Sequence, residues 1–136
     1  MHQSKQNLAQ SLDGEALAYL GDAVIELFIR ERLLRSGISK VGELNDTARR
    51  YVRAAGQSVA FRIIENELSE QELTIFKRGR NTSRLSAPKS ASMAQYRCAT
   101  GFEALVGYLH LSGDSERLLH LLNTAYPCEP CERNDE

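Results

Sequence analysis

The chain has no tryptophan, five tyrosines, four phenylalanines, three cysteines and three prolines. So few aromatic rings leave little material for a large ligand cage or a platform on which nucleobases stack. A small, odd number of cysteines does not make a disulfide framework. No apolar run reaches the ~18 residues needed to cross a bilayer, and the first fifteen residues, MHQSKQNLAQSLDGE, lack an apolar stretch of signal-peptide length. A cytoplasmic protein is expected. Charge is nearly balanced, at a net of −1, so the total says nothing about partners. Alternation of apolar and polar residues, the signature of a half-buried strand, is missing throughout.

What is present is helical periodicity over a length that supports one core. A chain of 136 residues buries about two-thirds of the surface it exposes when unfolded. The expectation is a single compact all-α domain over residues 1–136, with its core at about 12–126 and a flexible acidic tail at 127–136. Asp13 reads as an N-cap, followed by Leu17, Leu20, Val24, Leu27 or Phe28, and Leu34, with a stop near Ser36 and Gly37. A second helix starts near Ser39, and a third runs to about Asn66 with Tyr51, Val52, Ala55, Val59, Ile63 and Ile64 inward; the spacing leaves open whether Gly56 divides them. Ser69 to Glu72 spells a capping box, so a short helix follows through Phe76. GRNTSRLSAPKS reads as a loop. A strongly helical stretch then runs to Ser112 and Gly113, and Asp114 caps a last helix with Leu118, Leu119, Leu121 and Leu122 on one face before Pro127.

Within LAYLGDAVIEL, residues 17–27, a lone carboxylate, Asp22, interrupts an apolar helix; within TGFEALVGYLHL a second, Glu103, does the same. Ala99, Thr100 and Gly107 lie three or four positions from Glu103 and are small, leaving space above it. If the two helices cross there, two carboxylates share one hollow. Burying an unpaired carboxylate is unfavourable by several kcal/mol, of order, unless something compensates. That partner is either an Arg or Lys in an internal salt bridge or a divalent cation; a half-exposed surface acid needs neither. Hard cations take oxygen ligands, and Mg²⁺ commonly uses one or two carboxylates while keeping waters and accepting phosphate oxygens.

Charge is also segregated. Residues 77–97 carry Lys77, Arg78, Arg80, Arg84, Lys89 and Arg97 and no acid, whereas Glu65, Glu67, Glu70 and Glu72 precede them. Such a stretch either is a solvated face or holds a polyanion. Together with the paired acids it suggests a metal-assisted phosphodiesterase. A helix-turn-helix DNA regulator is the weaker reading, because RNTSRLS gives no clear turn between two short helices. Cys128 and Cys131 in CEPC lack further ligands at zinc spacing, since His110 and His120 fall on upstream helix patterns. His2, His110 and His120 are expected to have no chemical role.

LAYLGDAV and ATGFEALVGYL resemble the two acidic motifs of the ribonuclease III endonuclease domain. With KRGRN at residues 77–81, PK at 88–89 and YRCATGFEALVGYL at 96–109, the chain is similar to the short branch called Mini-ribonuclease III. The resemblance implies an Mg²⁺-dependent endoribonuclease, with Mn²⁺ able to substitute, that cuts double-stranded RNA, and in bacteria the large-subunit ribosomal RNA precursor. It implies Asp22 and Glu103 as metal ligands and catalytic residues, and a homodimer, with Gly21 permitting close helix approach. Candidate RNA contacts are Lys77, Arg78, Arg80, Asn81, Arg84, Lys89 and Arg97. Larger members of the family carry further acids where this chain has Ala18 and Thr100; Glu15 and Glu26 lie on roughly the right face to assist. Those two departures also support the alternative of a non-catalytic helical RNA-binding or assembly module on the same fold.

Overall fold

The computed structural model describes residues 2–82 and 92–127. Arg84, Lys89, Cys128 and Cys131 lie outside the described residues. The described residues form seven α-helices and one 3-10 turn, and no strand occurs among them: α1 (His2–Ser11), α2 (Gly14–Arg35), α3 (Val41–Val52), α4 (Ala54–Ile64), the turn Glu65–Glu67, α5 (Glu70–Arg80), α6 (Met93–Leu111) and α7 (Ser115–Ala125). The all-α expectation holds.

α2 begins as its sequence predicts, with the Asp13 side chain accepting from the Ala16 backbone N–H at 2.8 Å. It ends at Arg35 with Ser36 as C-cap, and Gly37 just beyond takes φ 105° so that the Ile38 N–H can reach back to the Leu33 carbonyl. Leu17, Ala18, Gly21, Ile25, Ile29 and Leu33 are its buried residues. Of the alternatives Leu27 and Phe28, it is Phe28 that packs, partly buried, against the core, while Leu27 is exposed; Leu34, expected inside, is exposed. The helix carries two apolar stripes, and three-to-four spacing alone does not say which one meets the core.

The break between α3 and α4 falls at Arg53, extended at φ −77° and ψ 166°, and not at Gly56. Gly56 instead lies against the end of α3, where an added Cβ would come 2.1 Å from the Arg50 carbonyl oxygen. The break resets the helical phase. Gln57, Ala60, Phe61 and Ile64 therefore point inward, and Val59 and Ile63, expected inward, are exposed.

α5 opens with the full capping box of Ser69 and Glu72 but runs past Phe76 to Arg80. Gly79 and Arg80, expected to begin the loop, are thus helical, as are Lys77 and Arg78. The helix tolerates Gly79 because α6 presses on it: a Cβ there would meet the Ala104 Cβ at 2.6 Å. In α7, Leu118, Leu121, Leu122 and Ala125 are buried, whereas Leu119 is exposed, one position off that stripe. Asp114 precedes α7 but makes no side-chain cap bond.

α6 is the centre of the molecule, buried almost continuously from Cys98 to Leu109 and packed by α1, α2, α4, α5 and α7. Phe61 stacks on Phe76 with ring centroids 3.9 Å apart, and Phe102 of α6 meets Phe61 edge-on at 6.5 Å. This cluster fixes α4 and α5 against α6. α1 is an element the periodicity does not announce; its Ala9 is fully buried in the same core.

Candidate active site

α2 and α6 touch backbone to backbone. A Cβ on Gly21 would sit 1.8 Å from the Glu103 carbonyl oxygen, and one on Gly107 would sit 2.0 Å from that of Leu17. Residue 21 faces 103 and residue 17 faces 107, so the helices run antiparallel where they meet. Gly21, expected to serve a contact between subunits, is taken up by this contact within the chain.

The crossing brings the two lone carboxylates together. Asp22 follows Gly21 and is exposed; Glu103 is mostly covered. The Asp22 carboxylate comes close enough to act on Glu103 both as a charge and as a hydrogen-bonding group. Burial first, then Asp22, push the Glu103 carboxyl up to about 8, with Glu26 adding to the rise and a hydrogen bond from Gln57 opposing it. That bond runs from Gln57 Nε2 to Glu103 Oε2 at 3.3 Å.

Among the described residues neither Asp22 nor Glu103 is ion-paired with Lys or Arg, so the internal salt bridge weighed from the sequence is not found there. Glu26 is taken by Arg30, whose Nη2 lies 2.8 Å from Glu26 Oε1. Glu15 is exposed in the first turn of α2. Ala18 is buried, and the Thr100 hydroxyl donates to its own helix, to the Tyr96 carbonyl at 3.0 Å. No group of three or more His, Cys, Asp or Glu suited to a metal ion occurs among the described residues. Two carboxylates with excess negative charge fit a hard cation that keeps several waters and draws further ligands from phosphate oxygens; they do not fit a closed, fully protein-ligated site.

The basic residues sort differently. Lys77 and Asn81 are exposed on the last turns of α5. Arg78 Nη1 donates to the carbonyls of Gln10 at 3.2 Å and Leu12 at 3.0 Å, closing the end of α1. Arg97 Nη1 donates to the Arg80 carbonyl at 3.2 Å, and the Arg80 guanidinium lies 5.8 Å from the Phe76 ring centroid. Arg78 and Arg97 thus hold the fold together as well as carrying charge.

Two residues beside the acids were not singled out in the sequence. Gln57 is only 1% exposed. It lies in the stripe of Ala60, Phe61 and Ile64, but that stripe is set by the break at Arg53, so the spacing alone gives no signal for it. Tyr126 is buried, and its hydroxyl donates to the Tyr51 carbonyl at 3.3 Å. Burial, then the Glu103 charge, push its phenol well above the ordinary range. Its position just after the last helix gives no periodic clue.

Residues 15–114 match the Ribonuclease III domain family. The Mini-ribonuclease 3 of Symbiobacterium thermophilum is 50% identical over 109 residues, covering 80% of this chain and 84% of that one. The chain belongs to the Mini-ribonuclease 3 branch of the ribonuclease III family. The Mini-ribonuclease 3 of Desulfitobacterium hafniense is 49% identical over 110 residues, covering 81% of this chain and 69% of that one. A crystal structure of a protein from Fusobacterium nucleatum superposes with a TM-score of 0.75 at 34% identity, covering 83% of this chain and 90% of that one. A member of this branch is a ribonuclease, a hydrolase acting as an endonuclease.

The carboxylate pair makes the stability of this Mini-ribonuclease 3 member depend on pH. An acid whose folded pKa lies above its ordinary 4.5 binds extra proton in the native state between that value and about 8, so stability is fully present below 4.5 and is lost as pH rises through 8. In chelator-treated protein we expect the melting temperature to fall between pH 5 and pH 8, by a free energy on the order of a few kcal/mol. Glu103→Gln removes most of that slope. A flat wild-type profile would mean that Glu103 ionises like an ordinary surface acid.

Proposed function

We propose that this Mini-ribonuclease 3 family member hydrolyses phosphodiesters of double-stranded RNA with Mg²⁺, or Mn²⁺ in its place, held by Asp22 and Glu103, and that it processes the large-subunit ribosomal RNA precursor as a cytoplasmic homodimer. The observation that carries this reading is the meeting of two carboxylates with no cationic side chain among the described residues to neutralise them. When bound, the cation supplies a polarised scissile phosphate and a water of lowered pKa. The protein's part is geometric and electrostatic. Exposed Asp22 and the more deeply covered Glu103 would hold the cation that faces the phosphate, and the Gln57 amide donates to Glu103.

An A-form duplex hides its base edges in a deep, narrow groove, so binding rests on phosphates, 2′-hydroxyls and shape. Lys77 and Arg80 of α5 and Asn81 at its C-terminal end are offered for such contacts, together with Arg97 of α6, which donates to the Arg80 carbonyl, and with Arg84 and Lys89, which lie outside the described residues. Arg50 and Arg53, exposed at the α3–α4 joint, add a second basic edge, with Arg49 beside them paired to Asp46 at 3.5 Å. Dimerisation is supported by the outer stripe of α2, where Tyr19, Leu27 and Leu34 expose 85%, 60% and 56% of their surfaces. Leu27→Glu should convert the dimer to monomer in sedimentation, and an unchanged sedimentation coefficient would remove α2 from the interface. Cytoplasmic location accords with the absence, among the described residues, of any helix long and apolar enough to cross a membrane.

The test is incubation of pure protein with end-labelled duplex RNA, with and without Mg²⁺. The expected result is metal-dependent cleavage leaving 5′-phosphate and 3′-hydroxyl ends, with large-subunit precursor transcripts cut at fewer positions than arbitrary duplexes. Binding without cutting in the presence of Mg²⁺ would favour the non-catalytic module, the reading supported by Ala18 and Thr100.

A further inference from the structure

Gln57 is the most deeply buried polar side chain among the described residues, and it ranks with Phe61, Phe102 and the large aliphatics among those fully enclosed. Nothing in packing asks for an amide there. Methionine would fill a similar volume without removing a polar group from water. Gln57 also stands on a rigid element, since Ala60, Phe61 and Ile64 of the same helix are locked into the core by the Phe61–Phe76 stack. From that anchored position its Nε2 reaches Glu103 Oε2 at 3.3 Å.

We propose that Gln57 is a positioning residue: its amide donates to one oxygen of Glu103, holds the carboxylate in a single rotamer at the α2–α6 crossing, and leaves the other oxygen available on the Asp22 side. The choice of an amide follows from charge. A lysine or arginine at this place would hold Glu103 equally well but would neutralise it, removing the excess negative charge that draws a cation. An acid would add a third negative charge beside Asp22 and Glu26 and would repel the group it should hold. A neutral donor is the side chain that fixes Glu103 without discharging the site, as outer partners of ligating carboxylates do. The cation part of this inference rests on the proposed function; the fixing of Glu103 does not.

Gln57→Met keeps the volume and deletes the donor. Three measurements, two of them independent of turnover, read the result. In crystals of metal-free protein, Glu103 should occupy one conformation in wild type and be displaced or split in Gln57→Met. In solution without RNA, Mn²⁺ affinity measured by electron paramagnetic resonance should fall about tenfold in Gln57→Met, and the same change placed in a Glu103→Gln background should have no further effect. With RNA, kcat should drop while KM stays, since the RNA contacts are untouched. A Glu103 that keeps its place in the variant, or unchanged Mn²⁺ affinity, overturns the positioning role. If wild type itself binds no Mn²⁺ while Glu103 moves in the variant, the metal reading falls and the positioning role stands. Should Gln57→Met fail to fold, the side-chain amide resonance of Gln57 decides: it should shift on Glu103→Ala, and an unshifted resonance refutes the contact.

Discussion

Asp22→Asn and Glu103→Gln each abolish RNA cleavage while leaving the helical spectrum and the sedimentation of the protein unchanged. Each replacement keeps the shape and deletes one anionic oxygen donor, so the loss is expected in the chemical step, by three orders of magnitude or more, about 4 kcal/mol of transition-state stabilisation. The two variants separate in the metal-free state. Burial is the larger cause of the raised Glu103 pKa and the Asp22 charge is the next. Asp22→Asn should therefore lower the Glu103 value part of the way toward 4.5, and Glu103→Gln should remove the titration altogether. In chelator at pH 8 both should melt above wild type, because each relieves repulsion that the native protein tolerates for the sake of binding. Full cleavage activity in either variant would dissolve the site; a melting temperature below wild type would show that the pair stabilises the fold instead of straining it.

Much of this arrangement was legible before any coordinates. The two acids could be picked out because an acid in the middle of an apolar helix is a local anomaly, and anomalies in a periodic pattern mark functional positions. The caps at Asp13 and Ser69 were legible for the same local reason, since a cap depends on residues within one turn. Features that depend on a partner helix were not. Leu27 and Leu34 share the apolar character of the buried stripe of α2, and only the position of α6 decides which stripe is covered. The phase of α4 depends on a break at Arg53, a residue with no breaker chemistry, and one such break was enough to turn Val59 and Ile63 outward. Arg78 read as a charge among charges; its use in closing α1 required knowing that α1 exists, and HQSKQNLAQS offers too few apolar residues to announce a helix.

Gly21→Ala is expected to do the greatest structural damage of any single methyl group added to this chain. Taken alone, alanine is the better helix former by about 1 kcal/mol, so propensity predicts a gain. Sterics decide otherwise. The new Cβ would lie 1.8 Å from the Glu103 carbonyl oxygen, 2.6 Å from its carbonyl carbon and 2.9 Å from the Gly107 nitrogen, all of them backbone atoms of α6 that no rotamer change can withdraw. Relief requires the two central helices to separate, at an expense of about 3 kcal/mol or more, which for a domain of this size lowers the melting temperature by about 10 °C. Gly107→Ala should behave alike, its Cβ 2.0 Å from the Leu17 carbonyl oxygen. Gly42→Ala is the internal control: it also lies in a helix, nothing stands within 4 Å of its added Cβ, and it should be neutral or slightly stabilising. Because the same contact sets Asp22 against Glu103, any Gly21→Ala protein that still folds should bind Mn²⁺ weakly even well below its melting point. A variant that melts within a degree or two of wild type, or that retains wild-type Mn²⁺ affinity, would show that α2 and α6 do not meet through their backbones and that the spacing of the two acids is set elsewhere.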